Sequence, residues 1–409
     1  MKILILSTFE CNGGAAIAAN RLMQALNKSG QDAKMLVRDN QTCDPNVVSI
    51  NTSWLKRKIN FLKFAYERLV IFIYNRFSKK NLFAVSIANT GTDISRHPLV
   101  KQSDIIHLHW INQGFLSLKN IEKLILTGKP IVWTMHDMWV FTGVCHYAGN
   151  CEKYKSKCEE CVLLKHFPKS IFRTKYEIFK NIKFVGCSCW IADCAKNSFI
   201  LKNNFITNAS NPIDIDRFNQ IHKPSARQRF SLPTDKNLIL FAAAKLSDTR
   251  KGIFYFTQAC KELDKNIEIV FLGGKIEKNL VNLFSLKTHQ LGYLQTQEDI
   301  LAVYSACDIF VIPSLEDNLP NTIMEAMSCG TPCVGFHIGG IPEMIDHKQT
   351  GYIAEYKNAD DLAKGIIYCV ENREILSKNA RQKVVENYSE KIVAEQYMEL
   401  YKNLLKTDK

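Results

Sequence analysis

Two series of short apolar runs, each alternating with helical patterns, constrain the fold of this chain more than any other feature. The first series gives the candidate strands Lys2–Ser7, Asp32–Val37, Ile105–His109, Pro130–Met135 and Lys183–Cys187. The second gives the candidate strands Asn237–Ala243, Ile267–Leu272, Asp308–Ile312 and Pro332–Phe336. Apolar strands that alternate with helices are typical of parallel sheets covered by helices. The sequence therefore predicts an α/β protein of two Rossmann-like domains that face a central cleft.

The boundary between the two series falls at the sequence SNPIDIDRF, which begins at Ser210. A chain of 409 residues is also longer than most single domains. We predict an N-terminal domain of residues 1–212 and a C-terminal domain of residues 213–387. The last helical pattern, at about 388–409, is expected to pack back onto the N-terminal domain. Because ligands of open α/β sheets bind where the strands end, functional side chains are expected in the loops that follow the strands.

The loop after the first strand contains Gly13 and Gly14, which allow a ligand to approach the backbone closely. The helix that follows offers backbone N–H groups to an anion, although a plain glycine turn is an open alternative. The loop lacks the G-x-G-x-x-G spacing of dinucleotide-binding folds, which argues against a nicotinamide-dependent enzyme.

Three histidines lie on or after candidate strands of the first series. His136 follows the strand Pro130–Met135, where an imidazole can donate a hydrogen bond or act as a general base near neutral pH. A structural role for His136 is the open alternative. His107 and His109 alternate along their own strand and are expected to be strand residues.

A cationic segment follows the first strand of the second series. It contains Lys245, Arg250 and Lys251 and leads into a helical pattern. Clustered cations at the start of a helix suit a phosphate group, which accepts charge-assisted hydrogen bonds. A solvated loop is an equally good interpretation of this segment alone.

Residues 313–332 read PSLEDNLPNTIMEAMSCGTP and predict a strand end, a loop, a helix, a glycine stop and a new strand. Asp317 and Glu325 are eight positions apart, one in the loop and one in the first helical turn, so both can face the mouth of a cleft. The pattern Thr322-x-x-Glu325 also fits a capping box, in which Glu325 would only stabilise the helix.

Extended to residue 345, this stretch resembles the donor-binding signature of retaining glycosyltransferases of family 4, of the bacterial polysaccharide-biosynthesis type, which have the GT-B fold. The signature pairs two acidic residues with seven between them and continues with EAM-x-x-G-x-P. The resemblance extends over nearly the whole chain, in the expected order, to the Gly13-Gly14 loop, His136-Asp137, Arg250-Lys251-Gly252 and Thr350-Gly351.

The resemblance implies that Glu325 binds the ribose of a nucleotide donor and that Asp317 contacts the transferred sugar. It implies that Lys251, with Arg250 or Lys245, neutralises the departing pyrophosphate. His136 would lie beside the donor sugar, and Gly13 and Gly14 close to its phosphates. The implied catalytic residues are His136, Lys251, Asp317 and Glu325. The implied donor-binding residues are Gly13, Gly14, Lys245, Arg250, Lys251, Glu316, Asp317, Asn318, Leu319, Asn321, Thr322 and Glu325.

Two positions depart from the family pattern. The first acidic position, usually glutamate, is Asp317, with Glu316 beside it, so either side chain could contact the sugar. Lys245 is about one residue out of register with the usual arginine. The identity of one residue that binds the phosphate is therefore open.

The resemblance predicts an enzyme that moves a sugar from a UDP, GDP or ADP-type donor to a saccharide or lipid-linked saccharide acceptor in surface polysaccharide or glycan biosynthesis. No cofactor is expected for catalysis. The sequence offers no convincing carboxylate for a double displacement, so we expect a same-face reaction with retention, in which the departing phosphate helps to deprotonate the acceptor. The alternatives are a nucleotide-sugar epimerase, a phosphorolytic enzyme with a cofactor-binding lysine, and a non-catalytic glycan- or membrane-binding relative.

Much of the net charge of +13 comes from residues 54–80, which hold eight basic residues and one acid, Glu67. The apolar residues between these charges are too interrupted to span a bilayer, but a basic, aromatic-rich helix suits the surface of an anionic membrane. A solvated helix face over a core stripe containing Leu62, Leu69 and Phe77 is the alternative. No nucleic-acid motif accompanies the charge. The start MKILILSTFE reads as a strand rather than a secretory signal, so we expect a cytoplasmic protein, peripheral at the inner face of the cytoplasmic membrane.

Four of the fourteen cysteines fall in the sequence CHYAGNCEKYKSKCEEC. They are Cys145, Cys151, Cys158 and Cys161. Cys158-x2-Cys161 has the spacing of half a zinc site, which predicts a structural zinc ion held by the four thiolates. Disulfides are disfavoured in a reducing cytoplasm, and four plain thiols are the alternative. We expect this loop to shape one wall of the acceptor site.

Overall fold

The computed structural model describes residues 1–245, 248–274, 281–294 and 296–407. Leu246 and Ser247, within the predicted cationic segment, and Asp408 and Lys409, at the end of the last predicted helix, lie outside the described residues. The chain divides into two compact units. Unit 1 comprises residues 1–212 and 393–409, and unit 2 comprises residues 213–392.

Unit 1 contains a seven-stranded parallel sheet in its described residues, with the order β3-β2-β1-β4-β5-β6-β7. Its strands are β1 Lys2–Phe9, β2 Asp32–Asp39, β3 Val47–Ser49, β4 Ile105–Leu108, β5 Ile131–Met135, β6 Lys183–Gly186 and β7 Ile206–Asn208. Its helices are α1 Gly14–Lys28, α2 Trp54–Tyr74, α3 Pro98–Gln102, α4 Leu118–Ile125, α5 Lys169–Ile178 and α6 Cys189–Lys196. The central strands are buried on both faces, which explains why they read as continuous apolar runs.

Unit 2 contains a six-stranded parallel sheet in its described residues, with the order β10-β9-β8-β11-β12-β13. Its strands are β8 Asn237–Ala243, β9 Ile267–Gly273, β10 Thr288–Gly292, β11 Ile309–Ile312, β12 Cys333–Phe336 and β13 Gly351–Ala354. Its helices are α7 Lys223–Arg229, α8 Ile253–Ala259, α9 Gln297–Ala306, α10 Asn321–Ser328, α11 Ile341–Met344, α12 Ala359–Glu371 and α13 Arg373–Tyr388. The two parallel sheets confirm the predicted α/β class.

The last helix, α14 (Glu390–Thr407), returns to the core of unit 1. Val393, Ala394, Tyr397 and Tyr401 are buried there in one apolar cluster with Ile3 and other residues of the first strands. The two tyrosines keep their hydroxyl groups paired inside this cluster. Tyr401 bonds His107 at 2.7 Å, and Tyr397 bonds Thr134 at 2.9 Å.

Helix α2 leaves many of its apolar residues exposed. Leu62, Leu69 and Phe77, just beyond the helix end, are 64%, 53% and 71% exposed. The buried residues of α2 are Asn60, Glu67, Arg68 and Ile71, three of which are polar. The inner side of this helix also has an apolar part, since Ile71 packs with Val85 and Ile87 in one cluster, with Val70 and Tyr74 against it. Both interpretations of the helix therefore hold in part, because an inner stripe is covered and a second set of apolar side chains is exposed. None of the described helices is both long enough and apolar enough to cross a membrane.

Candidate functional site

In unit 2, the cationic segment and the acidic loop after β11 meet. The amide of Leu315 donates to the carbonyl of Arg250 at 2.7 Å. Gly252 has a φ of 70°, and a Cβ at this position would lie 1.7 Å from the carbonyl oxygen of Pro313. Only glycine allows so close an approach, which explains why glycine follows Lys251.

This approach brings Lys251 to Asp317. The Lys251 Nζ atom lies 2.7 Å from Asp317 Oδ2, and the Ser314 hydroxyl donates to the same oxygen at 3.3 Å. Both charged side chains are largely but not fully buried, with 30% and 14% of their surfaces exposed. The other cations of the segment lie apart from this pair, since Arg250 bonds Asp248 at 2.7 Å and Lys245 is exposed. The structure therefore joins Lys251 to Asp317, while Arg250 pairs with Asp248 and Lys245 is exposed.

Glu325 lies on α10 and is buried. The phenol of Tyr304, on α9, donates to Glu325 Oε2 at 3.1 Å. Burial, together with the charge of Glu325, raises the pKa of Tyr304 well above its usual value, so Tyr304 stays protonated and acts as a donor. The helix begins after Pro320, and no side chain caps it, so the capping-box interpretation of Thr322 and Glu325 is wrong.

The remaining predicted donor-binding residues of unit 2 surround this loop and helix start. Asn318, Leu319 and Asn321 are buried, while Glu316 and Thr322 are half-buried. Gly339 lies against the loop with a φ of 58°, and a Cβ there would fall 1.8 Å from the carbonyl oxygen of Asp317. The backbone around Asp317 is therefore held by a close contact that the acidic motif alone does not predict.

In unit 1, Gly13 and Gly14 form the start of α1. Gly13 precedes the helix with a φ of 92°, a conformation that favours glycine, and no side chain caps the helix. A Cβ at Gly13 would meet no atom within 4 Å, so the backbone here is open to a ligand. Helix α1 also has no acidic residue in its first turn, which suits the approach of an anion to its positive end.

His136, at the end of β5, is paired with a second histidine. His136 Nε2 lies 2.8 Å from Nδ1 of His109. His109 is buried, and His136 is half-buried. Burial lowers the pKa of His136 to about 4 and that of His109 well below its usual value, so both are neutral near pH 7. Sequence reasoning treated His109 as a strand residue, and only the pairing of β4 with β5 shows that it contacts His136.

The four clustered cysteines are all free thiols. Burial raises the pKa of Cys145 to about 12 and raises the pKa values of Cys158 and Cys161 above their usual range. Across residues 1–245 and the other described stretches, no three histidine, cysteine, aspartate or glutamate side chains are grouped so that they could hold a metal ion. The zinc site stays a prediction that the arrangement of these thiols does not support.

Comparisons with known proteins bear on both units. Residues 222–389 match the family model for glycosyl transferases group 1. Over 251 residues the chain is 28% identical to the N,N'-diacetylbacillosaminyl-diphospho-undecaprenol alpha-1,3-N-acetylgalactosaminyltransferase of Campylobacter jejuni, a match that covers 60% of this chain and 66% of that enzyme. Over 331 residues it is 24% identical to the putative colanic acid biosynthesis glycosyl transferase WcaC of Escherichia coli, which covers 73% of this chain and 76% of WcaC.

Among solved structures, the chain is similar to Anabaena HepE, crystallised in complex with UDP and glucose. The TM-score is 0.64 at 17% sequence identity, and the match covers 98% of this chain and 99% of HepE. At this level of identity the likeness concerns the fold alone, and it confirms the fold class predicted from the sequence.

Proposed function

We propose that this chain, a group 1 glycosyltransferase with the GT-B fold, transfers a sugar from a nucleotide-sugar donor to a saccharide or lipid-linked saccharide with retention of the anomeric configuration. The family match and the names of the relatives confirm the predicted resemblance and the predicted role in polysaccharide assembly, and they give the epimerase alternative no support. The observation that carries the proposal is the contact of Lys251 with Asp317 where β11 ends.

Lys251 is suited to stabilise the departing nucleotide. Charge grows on the diphosphate as the glycosidic bond breaks, and a cation fixed in advance stabilises that charge more in the transition state than in the ground state. An ammonium group has three N–H donors, and Asp317 accepts one of them at 2.7 Å. Lys251 can therefore remain held by Asp317 while it donates to a phosphate oxygen.

Glu325 is suited to bind the ribose hydroxyl groups. Its carboxylate is buried, and the Tyr304 phenol fixes one oxygen at 3.1 Å. A carboxylate offers about four lone-pair sites, so it can accept a bond from Tyr304 and further bonds from ribose hydroxyl groups. We expect this arrangement to position the nucleoside rather than to take part in bond breaking.

The same pairing supports retention without a covalent intermediate. A double displacement needs a carboxylate aimed at the anomeric carbon from the far face of the sugar. Asp317 is instead engaged with Lys251 and Ser314. The departing phosphate, held by Lys251, is then the base that remains for the acceptor hydroxyl on the same face.

The relatives and the surface of unit 1 support the choice of substrates. HepE was crystallised with UDP and glucose, and the Campylobacter enzyme is named for an undecaprenol-linked acceptor. The exposed apolar face of α2, which includes Phe61 and Leu62, lies among the basic residues of 54–80. Such a surface suits peripheral contact with an anionic membrane, where a lipid-linked acceptor would be found.

A thermal-shift panel with UDP, GDP and ADP tests the donor class. We expect one nucleotide to raise the melting temperature of the wild type and to have a much smaller effect on Glu325→Gln. Glu262→Gln, which changes an exposed glutamate of unit 2, serves as the matched control. Sugars linked to the selected nucleotide are then supplied with saccharide acceptors, and the products are identified by mass spectrometry and anomer analysis. No stabilisation by any nucleotide, or an inverted product, would contradict the proposal.

A further inference from the structure

The inner face of α2 holds the segment 82–88 through buried charges. Glu67, which is fully buried, accepts hydrogen bonds from the amides of Ile87 and Ala88, each at 3.0 Å. Arg68 donates to the carbonyl of Leu82 at 2.6 Å and to that of Val85 at 3.0 Å. The helix with the uncovered apolar face is therefore fixed to this segment by hydrogen bonds that are directional and shielded from water.

A chain of side-chain hydrogen bonds continues from α2 to the segment after β5. The Arg68 guanidinium lies 3.4 Å from Ser86 Oγ, and Ser86 Oγ lies 2.9 Å from His146 Nε2. His146 Nδ1 lies 2.7 Å from Asp137 Oδ2. The donors are consistent along this chain, because Arg68 can only donate and a carboxylate can only accept. Ser86 then donates to His146, and His146 donates to Asp137, the residue next to His136.

Backbone and indole contacts run alongside this chain. The amide of Ser86 donates to the carbonyl of Val144 at 2.9 Å, and the amide of His146 donates to that of Ala84 at 3.0 Å. The indole of Trp139 donates to the carbonyl of Ser86 at 2.7 Å. The indole of Trp110 donates to Asp137 Oδ2 at 2.9 Å. Backbone and side-chain hydrogen bonds therefore join the segments 84–86 and 137–146 directly.

The order Ser86, His146, Asp137 has the contacts of a nucleophilic triad, yet it cannot act as one. Ser86 is fully buried, so no substrate carbonyl can reach its hydroxyl group. The nearby Arg68 cation occupies the oxygen that would have to attack. The arrangement instead links α2 to Asp137 through hydrogen bonds.

We propose that His146 is a positioning residue that couples contact of α2 with a membrane to the conformation of the His136-Asp137 segment. This inference rests on the proposed membrane contact of α2. When the apolar face of α2 enters a lipid surface, the helix becomes fixed in position. Glu67 and Arg68 then hold residues 82–88 more firmly through their hydrogen bonds. The hydrogen bonds of Ser86 with His146 and of His146 with Asp137 extend this restraint to Asp137. The segment after β5 is therefore more ordered at the membrane than in solution.

Hydrogen–deuterium exchange tests the coupling, with vesicles of equal parts phosphatidylglycerol and phosphatidylcholine as the probe. In the wild type, we expect vesicles to slow amide exchange in residues 136–148 by about threefold or more, since local ordering raises the free energy of opening. Ser86→Ala removes the central hydroxyl group. His146→Asn keeps an amide donor toward Asp137 but is too short to reach Ser86. Ser198→Ala, which deletes another fully buried hydroxyl group of unit 1, is the matched control.

Co-sedimentation with the same vesicles is measured in parallel. The proposal predicts that all four proteins bind and that the slowing in 136–148 is lost in Ser86→Ala and His146→Asn but kept in Ser198→Ala. The coupling is overturned if the wild type binds vesicles without slower exchange in residues 136–148. It is also overturned if the slower exchange persists in both Ser86→Ala and His146→Asn. Either result leaves the membrane contact intact. Absence of wild-type binding overturns the membrane contact and the coupling with it, while donor binding by unit 2 is judged separately by the nucleotide panel.

Discussion

The Tyr304 phenol donates to Glu325 Oε2 at 3.1 Å from the buried interior of unit 2. This bond ties the carboxylate proposed to bind ribose to α9, a different helix from the one that carries it. Glu325 is therefore oriented before any donor arrives, and its position depends on packing between α9 and α10.

Tyr304→Phe is expected to weaken nucleotide binding without removing it. A lost hydrogen bond to a buried charged group costs about 1.5–3 kcal/mol, part of which falls on stability and part on binding. We expect an increase in the dissociation constant of the selected nucleotide of about tenfold, measured by calorimetry. Tyr255→Phe, at a half-buried tyrosine outside the site, is the control. Equal affinities of Tyr304→Phe and the wild type would show that Glu325 does not need this orientation.

Lys251→Gln is expected to reduce kcat far more than it raises KM, because Lys251 meets charge that develops in the transition state. Removal of one such stabilising group in other enzymes costs about 100- to 1000-fold in rate. Steady-state kinetics of nucleotide release measures both constants. Lys261→Gln, at an exposed lysine of the same unit, should leave them unchanged. A purely KM effect would mean that Lys251 binds donor and transition state equally well.

The sequence predicts the core of both sheets well because central parallel strands are buried on both faces and read as apolar runs. It misses four of the described strands. Of these, β3 and β7 have three residues each, β13 has four, and β10 has residues that are polar or only half-buried. These strands lie at sheet edges, where one side is unpaired and the apolar signal is weak.

Within the site, the acidic motif predicts Asp317 and Glu325, and the structure adds what contacts them. Tyr304 lies 21 positions before Glu325, and Lys251 lies 66 positions before Asp317. The pairing of His109 with His136 likewise depends on neighbouring strands. For α2, the sequence leaves open whether its apolar residues face the core or a membrane surface. Periodicity shows that apolar residues share a face, but only tertiary contacts show whether that face is covered.

The combined change Phe61→Ser, Leu62→Ser and Leu69→Ser tests the exposed face of α2. All three side chains are exposed, so the melting temperature should hardly change, since surface substitutions usually alter stability by less than about 0.5 kcal/mol. Vesicle binding should fall by about tenfold or more, because burial of each apolar side chain in lipid contributes about 1.5 kcal/mol or more. Co-sedimentation with anionic vesicles provides the measurement.

Leu126→Ser is the control for this change, since Leu126 is an exposed leucine of unit 1 outside α2. It should bind vesicles as the wild type does. If the triple variant also binds as well as the wild type, α2 is not the membrane contact, and another partner must cover its apolar face.

Acid is expected to destabilise unit 1 through its buried histidines. Burial lowers the pKa values of His107 and His136 to about 3 and about 4, from 6.5 in the unfolded chain. Below pH 6.5 the unfolded chain binds protons that the folded unit excludes. The contribution of these neutral histidines to the free energy of unfolding is therefore fully present above pH 6.5 and is lost as the pH drops toward 4. For His136 alone the loss reaches about 3 kcal/mol, at about 1.4 kcal/mol per pKa unit.

Urea unfolding followed by tryptophan fluorescence reports on unit 1, because all five tryptophans lie between residues 54 and 190. The free energy of unfolding should decrease steadily between about pH 7 and pH 5, and the decrease should be smaller in His136→Asn, which lacks one of these imidazoles. His222→Asn, at an exposed histidine of unit 2, should follow the wild type. A free energy of unfolding that does not vary over this range would mean that the imidazoles are already protonated inside the fold, and the neutral pairing of His109 with His136 would have to be abandoned.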